Sequence, residues 1–317
     1  MSAIVTITFN PALDKSTSIA ELIPDKKLKC TRPVCEPGGG GINVARAIKK
    51  LGGEAIAVYP AGGEAGENIT RLLTEETVST LAIPIKNHTR ENLVIADQTH
   101  QKQYLFDMPG PSVSKQELEQ CLNAIAGIHD VAFMVVSGSL PPGVPPHVFE
   151  TISSIARTKN AKLIVDTSGD ALKDAIKAGV YLIKPNLTEL ALLAGKDKLN
   201  SASIGHAATE MIAYGKCEVI VVSLGGLGAI LVTKDLEMSL TPPALATKST
   251  VGAGDSMLAG IVLGLMKNTS LADAVRYGVA CGSAATLRPG TELCTKKDAD
   301  DLYSKIVIKN IREYHVS

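Results

Sequence analysis

The chain has 317 residues, 45% of them apolar and 20% charged, which is enough for a sizeable core and too apolar for a disordered protein. Thirty-two Lys and Arg balance thirty-two Asp and Glu, so no global field draws the chain to nucleic acid or to an anionic membrane, although a local basic pocket for a phosphorylated small molecule stays open. Six cysteines without a C-x-x-C pair and six scattered histidines give neither a disulfide scaffold nor a zinc site.

Met1 to Phe9 alternates apolar and polar residues as a strand does, without the basic start and apolar core of a signal peptide. No apolar run approaches the roughly 18 residues of a membrane span, and the expectation is a cytoplasmic protein. Further strands are predicted at 55–60, 131–137, 162–166, 181–184, 219–223 and 229–232. Between them, helical spacing predicts helices over 42–51, 66–75, 115–126, 146–159, 187–194, 204–214, 256–265 and 271–287. Short β-branched runs alternating with alanine-rich helices specify an α/β chain, a mostly parallel sheet covered on both faces. Two extended stretches, at about 16–34 and 91–106, lack crossover helices of their own. They read as one small β-sheet lid standing off the main domain; two hairpins lying flat on the core are the alternative.

Two glycine-rich segments open helices. Pro37-Gly38-Gly39-Gly40-Gly41-Ile42-Asn43 permits close backbone approach to a ligand, with Asn43 placed to bond a sugar hydroxyl, or else makes a plain tight turn; it fits neither the P-loop nor the G-x-G-x-x-G pattern. Thr250-Val251-Gly252-Ala253-Gly254-Asp255-Ser256 would gather amide N–H groups where the helix dipole favours negative charge. Asp255 could there accept the proton of an attacking hydroxyl, or serve only as an N-cap. Lys184-Pro185-Asn186-Leu187-Thr188-Glu189 follows a strand. Asn186 and Glu189 share a helical face that could organise water around magnesium, or they form a capping box. The turns Ser223-Leu224-Gly225-Gly226-Leu227-Gly228 and Ser137-Gly138-Ser139-Leu140-Pro141 end strands, where ligands of open α/β sheets gather. Asp14 could accept from sugar hydroxyls, while Arg90 with Lys27 and Lys29 could bind a phosphate already on the substrate, unless the lysines are a solvated loop face.

Together these segments resemble the PfkB, or ribokinase-like, carbohydrate kinase family over nearly the whole chain, the glycine runs at 37–46 and 252–255 standing in the order of that family's two signatures. The resemblance implies a single ribokinase-like three-layer α/β/α kinase domain over 1–317, with a mostly parallel central sheet and a small lid. It implies Asp255 as general base with Gly252, Ala253 and Gly254 as anion hole, and Asp14, Lys27, Lys29, Gly38, Gly39, Asn43, Arg90 and Ser139 around a sugar phosphate. Nucleotide contacts would come from Lys184, Asn186, Ser223, Gly225, Gly228, Thr250 and Ser283, and magnesium from Asn186 and Glu189 through water. A site for potassium would fall at Ser249, Val251, Ala285, Arg288 and Gly290, where the charge of Arg288 opposes it. Met108-Pro109-Gly110 and Ser137 to Gly143 point to members that phosphorylate the 1-hydroxyl of fructose 6-phosphate with ATP. Kinases of tagatose 6-phosphate and fructose 1-phosphate typically carry a lysine in the first glycine run, and a non-catalytic sugar phosphate binder of the same fold is the remaining alternative. The expected partners are small molecules and, through the lid, a second copy of the chain.

Overall fold

Strand β1 (Ala3–Ile7) runs directly into a strand that leaves the main body, β2 (Ala12–Ile19), and the chain returns through β3 (Val34–Gly38) to helix α1 (Gly40–Lys50) in the computed structural model, which describes residues 2–313. After β4 (Ile56–Ala61), α2 (Gly63–Glu75) and β5 (Ser79–Pro84) come two more departing strands, β6 (Arg90–Asp97) and β7 (Lys102–Phe106). The middle of the chain holds α3 (Lys115–Gly127), β8 (Val131–Ser137), α4 (Val148–Thr158), β9 (Lys162–Asp166), α5 (Gly169–Ala178) and β10 (Val180–Ile183). The rest is α6 (Leu187–Leu193), α7 (Ser201–Tyr214), β11 (Cys217–Ser223), β12 (Ala229–Thr233), β13 (Leu236–Thr241), α8 (Ala253–Met266), α9 (Leu271–Thr286), α10 (Lys296–Tyr303) and β14 (Val307–Glu313).

Ten strands form the main sheet in the order β14-β13-β12-β11-β10-β9-β8-β1-β4-β5. From β11 to β5 every pairing is parallel, and the β12, β13 and β14 edge is antiparallel. Both faces are covered: along β8, Phe133 and Val135 enter one core while Met134 and Val136 enter the other. That double burial is why the parallel strands read as unbroken apolar runs. Helices α1, α2, α8, α9 and α10 cover one face and α3 to α7 the other, the expected three layers. Because β4 lies on one side of β1 and β8 on the other, the strand order reverses at β1, and a crevice opens at the carboxyl ends of β1 and β8.

Helix α8 is buried at every position from Ser256 to Gly264. A Cβ at Gly260 would come within 2.9 Å of the Gly278 Cα on α9, so small residues let the two helices pack at close range and fix the position of the first turn of α8.

The departing strands form one four-stranded sheet, β3-β2-β6-β7, with β2 and β6 parallel from Ala12↔Arg90 to Ile19↔Asp97. The flat-hairpin alternative is therefore set aside. The boundaries differ from the expected 16–34: residues 20–33 contribute no strand, and the sheet instead takes in Ala12 to Ser16 and the first glycine segment as far as Gly38. At the lid tip, Asp97 accepts from the backbone N–H groups of His100 and Leu22 and from the His100 ring, which together hold its carboxyl down at about 2.

Candidate active site

Asp255 lies in the first turn of α8, three residues after Gly252, and is not the N-cap. Gly252 holds that position with φ 71°, a left-handed conformation open to glycine, and a Cβ there would meet Leu293 at 2.6 Å. No side chain caps this helix. The Ala253 N–H turns back to the Thr250 carbonyl at 3.3 Å, whereas the amides of Gly254 and Asp255 have no intrahelical acceptor. Of the three amides expected from Gly252 to Gly254, only that of Ala253 is thus turned back onto the protein. Among the glycines of this turn, Gly254 is the open one: its only near neighbour would be the Lys184 ammonium, at 3.4 Å from an added Cβ.

The first glycine segment starts α1 with Gly39 as N-cap at φ 109°. Its neighbours leave no space for a side chain at these glycines. A Cβ at Gly38 would strike Asp14, one at Gly40 would strike the Ser137 hydroxyl, and one at Gly41 would strike the Ile7 carbonyl and Thr8 hydroxyl, at 2.1, 2.3, 2.6 and 2.6 Å. The run seats α1 tightly on the ends of β1 and β8, and the Thr8 hydroxyl accepts the Ile42 N–H at 2.8 Å.

That seating brings the two glycine segments together: Asn43 Nδ2 donates to Asp255 Oδ2 at 3.0 Å across 212 residues of sequence. Asp255 borders a cleft of about 210 Å³ lined also by Gly40, Ser137, Gly138, Ser139, Asp166, Thr167, Ser168 and Glu189. Loss of hydration in these surroundings, and then the charge of Asp166, push the Asp255 carboxyl up to about 6, against the Asn43 bond and the Lys184 charge, which pull it down. Lys184 is 6% exposed and pairs with Asp166 at 3.0 Å. Burial works against its charge, but Asp166, Asp255 and Glu189 outweigh burial and raise its pKa.

Asp166 was not among the residues expected from sequence. A carboxylate closing the apolar run Leu163–Val165 is the signal that could have found it, because β9 ends at the same sheet edge.

Asn186 and Glu189 take up the capping alternative. They form a reciprocal capping box on α6, at 2.9 and 2.8 Å, through Glu189 Oε2, and Glu189 still borders the cleft. Ser223 meets this loop through a bridge to Asn186 and an N–H bond to the Pro185 carbonyl at 2.9 Å. Beyond it, Gly225 is open, while Gly228 is pressed against the Leu240 carbonyl as a hairpin turn. Ser283 follows Gly282, whose added Cβ would meet the Ala253 carbonyl at 3.0 Å.

On the lid side, Asp14 accepts from Asn92 at 2.9 Å, and burial raises its pKa against that bond and the Arg90 charge. Arg90 donates to Asp107, to the Met108 carbonyl at 2.8 Å and to the Asn10 carbonyl at 3.2 Å. Asn10 in turn donates to Ser139 at 2.9 Å, which links Arg90 to the cleft. Lys27 and Lys29 are exposed on the loop 20–33, in keeping with the solvated-face alternative. The residues named for a monovalent cation do gather: Ser249 donates to the Gly290 carbonyl at 2.7 Å and accepts from the Val251 N–H at 3.2 Å. Ala285 accepts the Arg288 N–H at 3.0 Å, and the Arg288 guanidinium is paired with Asp298.

Among the described residues, no group of three or more His, Cys, Asp or Glu side chains could hold a metal ion alone, and no helix is long and apolar enough to cross a membrane. Hard oxygen donors at Asn186, Glu189 and Asp166 suit magnesium held largely by water and phosphate.

A helix start with free amides, a carboxylate shifted toward neutrality and a buried lysine at the carboxyl edge of a parallel sheet define a phosphoryl-transfer type of α/β site. The chain belongs to the pfkB family of carbohydrate kinases, whose profile matches residues 4–298. It is 43% identical over 305 residues to the ATP-dependent 6-phosphofructokinase isozyme 2 of Escherichia coli, covering 96% of this chain and 99% of that one. A crystal structure of E. coli phosphofructokinase-2 in complex with substrates and products superposes with a TM-score of 0.91, over 95% of this chain and 98% of that one at 43% identity. Likeness to the 1-phosphofructokinase of Bacillus subtilis is 29% over 316 residues, 97% of this chain and 100% of that one.

Proposed function

We propose that this chain is an ATP-dependent sugar phosphate kinase that transfers the γ-phosphoryl group of ATP to the 1-hydroxyl of fructose 6-phosphate, giving fructose 1,6-bisphosphate and ADP. The observation that carries the reading is the Asn43–Asp255 bond, which ties two helix starts to one carboxylate at the cleft. The hydroxyl oxygen attacks the γ-phosphorus, the bond to the bridging oxygen of ADP breaks, and the hydroxyl proton passes to Asp255. Asn43 orients that carboxylate. The Gly254 and Asp255 amides and the Lys184 ammonium, adjacent to Gly254, face the charge that develops on the transferring group. Magnesium held through water by Glu189, Asn186 and Asp166 would neutralise charge on the nucleotide phosphates.

The acceptor would lie on the lid side. Asp14, Gly38, Gly39 and Ser139 take its hydroxyls there, and Arg90 takes its 6-phosphate. Ser223, Gly225, Gly228, Thr250 and Ser283 frame the nucleotide. The choice of fructose 6-phosphate over fructose 1-phosphate rests on 43% against 29% identity to the two named relatives. A second copy of the chain is proposed to pair through the lid, where Val34, Leu105 and Phe106 are 59%, 58% and 43% exposed.

The test is ADP release measured with fructose 6-phosphate, tagatose 6-phosphate and fructose 1-phosphate at equal ATP. The highest kcat/KM is expected for fructose 6-phosphate. A preference for another sugar phosphate would replace the substrate, and binding without any ADP release would favour a sugar phosphate binding protein.

A further inference from the structure

We infer that Asp107 sets how tightly this site takes a phosphorylated acceptor, by holding the edge of Arg90 that a substrate phosphate must use. The inference rests on the reading of Arg90 as the phosphate partner.

Arg90 and Asp107 form an unequal pair. The Arg90 side chain is 9% exposed and that of Asp107 75%. Three of the bonds of Arg90 go to Asp107, the Met108 carbonyl and the Asn10 carbonyl, and its buried Nε proton has no acceptor in the protein. Asn10 repeats the pattern: Nδ2 is bonded to Ser139, while Oδ1 is buried without a partner. A Cβ on Gly110 would fall 2.1 Å from that Oδ1, so the segment after β7 is strapped closely over both residues. Buried donors and acceptors without partners are costly in a finished structure. Here they lie on a line of hydrogen bonds that joins the lid to the cleft.

A water-exposed carboxylate on a guanidinium is a weak, exchangeable partner. A phosphate monoester brings nearly two charges and three acceptor oxygens, and binds a guanidinium through two parallel bonds. It can therefore replace Asp107 at Nη1. An uncharged hexose offers no charge to drive that exchange, so Asp107 selects against it while weakening phosphate binding somewhat.

The test is Asp107→Asn, which keeps the shape and removes the charge. The KM for fructose 6-phosphate is expected to fall about 1.5- to fivefold while the KM for ATP stays put, the range of an exposed charge pair. Calorimetric binding of inorganic phosphate should tighten in parallel, and Asp107→Asn should have no effect on it in an Arg90→Ala background. A raised KM would make Asp107 a support for Arg90 and overturn the inference, as would KM and phosphate binding that do not change. Because phosphate binding needs no turnover, its tightening would stand even if the chain proved to act on another sugar phosphate or on none.

Discussion

Asp255→Asn is expected to lose about 10²- to 10⁴-fold in kcat, the range for removal of a positioned general base, and to gain stability at the same time. The reason for the gain is linkage. The folded state holds the Asp255 proton up to about 6, against 3.8 for a free aspartate. Stability from this group is therefore full below 3.8 and falls as pH rises through 6, where the protein must carry a poorly hydrated carboxylate. Asparagine never ionises, so at pH 7 to 8 the variant should be more stable by on the order of 2 kcal/mol. The Asn43 bond can persist, because the amide oxygen still accepts. Turnover and a thermal denaturation scan check both halves. Activity close to wild type would remove Asp255 from the role of base, and a fall in Tm would make it a structural residue.

The second large effect is expected at Arg46, which does not itself line the cleft described above. Its guanidinium is 2% exposed and pairs with Glu76 through two bonds of 2.8 and 2.6 Å; it also reaches the Pro37 carbonyl at 2.9 Å and Glu36 at 3.1 Å. Glu36 also accepts from Thr291. One side chain on α1 thus ties the last lid strand before the glycine run, the end of α2 and the loop after α9. It lies a single turn beyond Asn43, on the same helix. Arg46→Ala leaves two carboxylates and a carbonyl without their donor, a change that costs about 3–5 kcal/mol when the pair is fully buried. The Glu36 and Glu76 side chains are 18% and 31% exposed, which places the expected loss near the lower figure. Lysine should not restore it, lacking the fork that makes two parallel bonds. The midpoint of urea denaturation checks this, and a loss under about 1 kcal/mol would show that the pair acts as an ordinary surface contact.

The parallel core was legible because strands buried on both faces leave continuous apolar runs, as in Val131 to Val136. The antiparallel edge was not fully legible: β13 mixes Glu237 and Ser239 with apolar residues, which reads equally as loop. Helix α5 carries an apolar stripe at Leu172, Ala175 and Ile176 but is short and opens on Gly169-Asp170, whereas α10 buries only Ala299 and Leu302 among polar or charged residues. The two halves of the site were visible as glycine runs before helices. Their meeting at Asn43 and Asp255 was not, since it depends on Gly40 packing against Ser137 and on α8 packing against α9. The first glycine run shows the limit of local reading, because the pattern does not reveal that a side chain there would strike Asp14, Ser137 and Ile7. Asp166 has only the apolar run before it as a signal; its importance lies in its contact with Lys184, eighteen residues on.

The most direct test of a single carboxylate as proton acceptor is the pH dependence of kcat, compared between the wild type and Asp166→Asn. The wild type should lose activity on the acid side with a midpoint near 6. A phosphate monoester itself titrates at about 6, so the substrate alone could produce such a limb, but it is the same for both enzymes. Removing the charge of Asp166 takes away a cause of the raised Asp255 pKa, and the limb of the variant should move to lower pH. A limb at the same pH in both enzymes would contradict the assignment of Asp255.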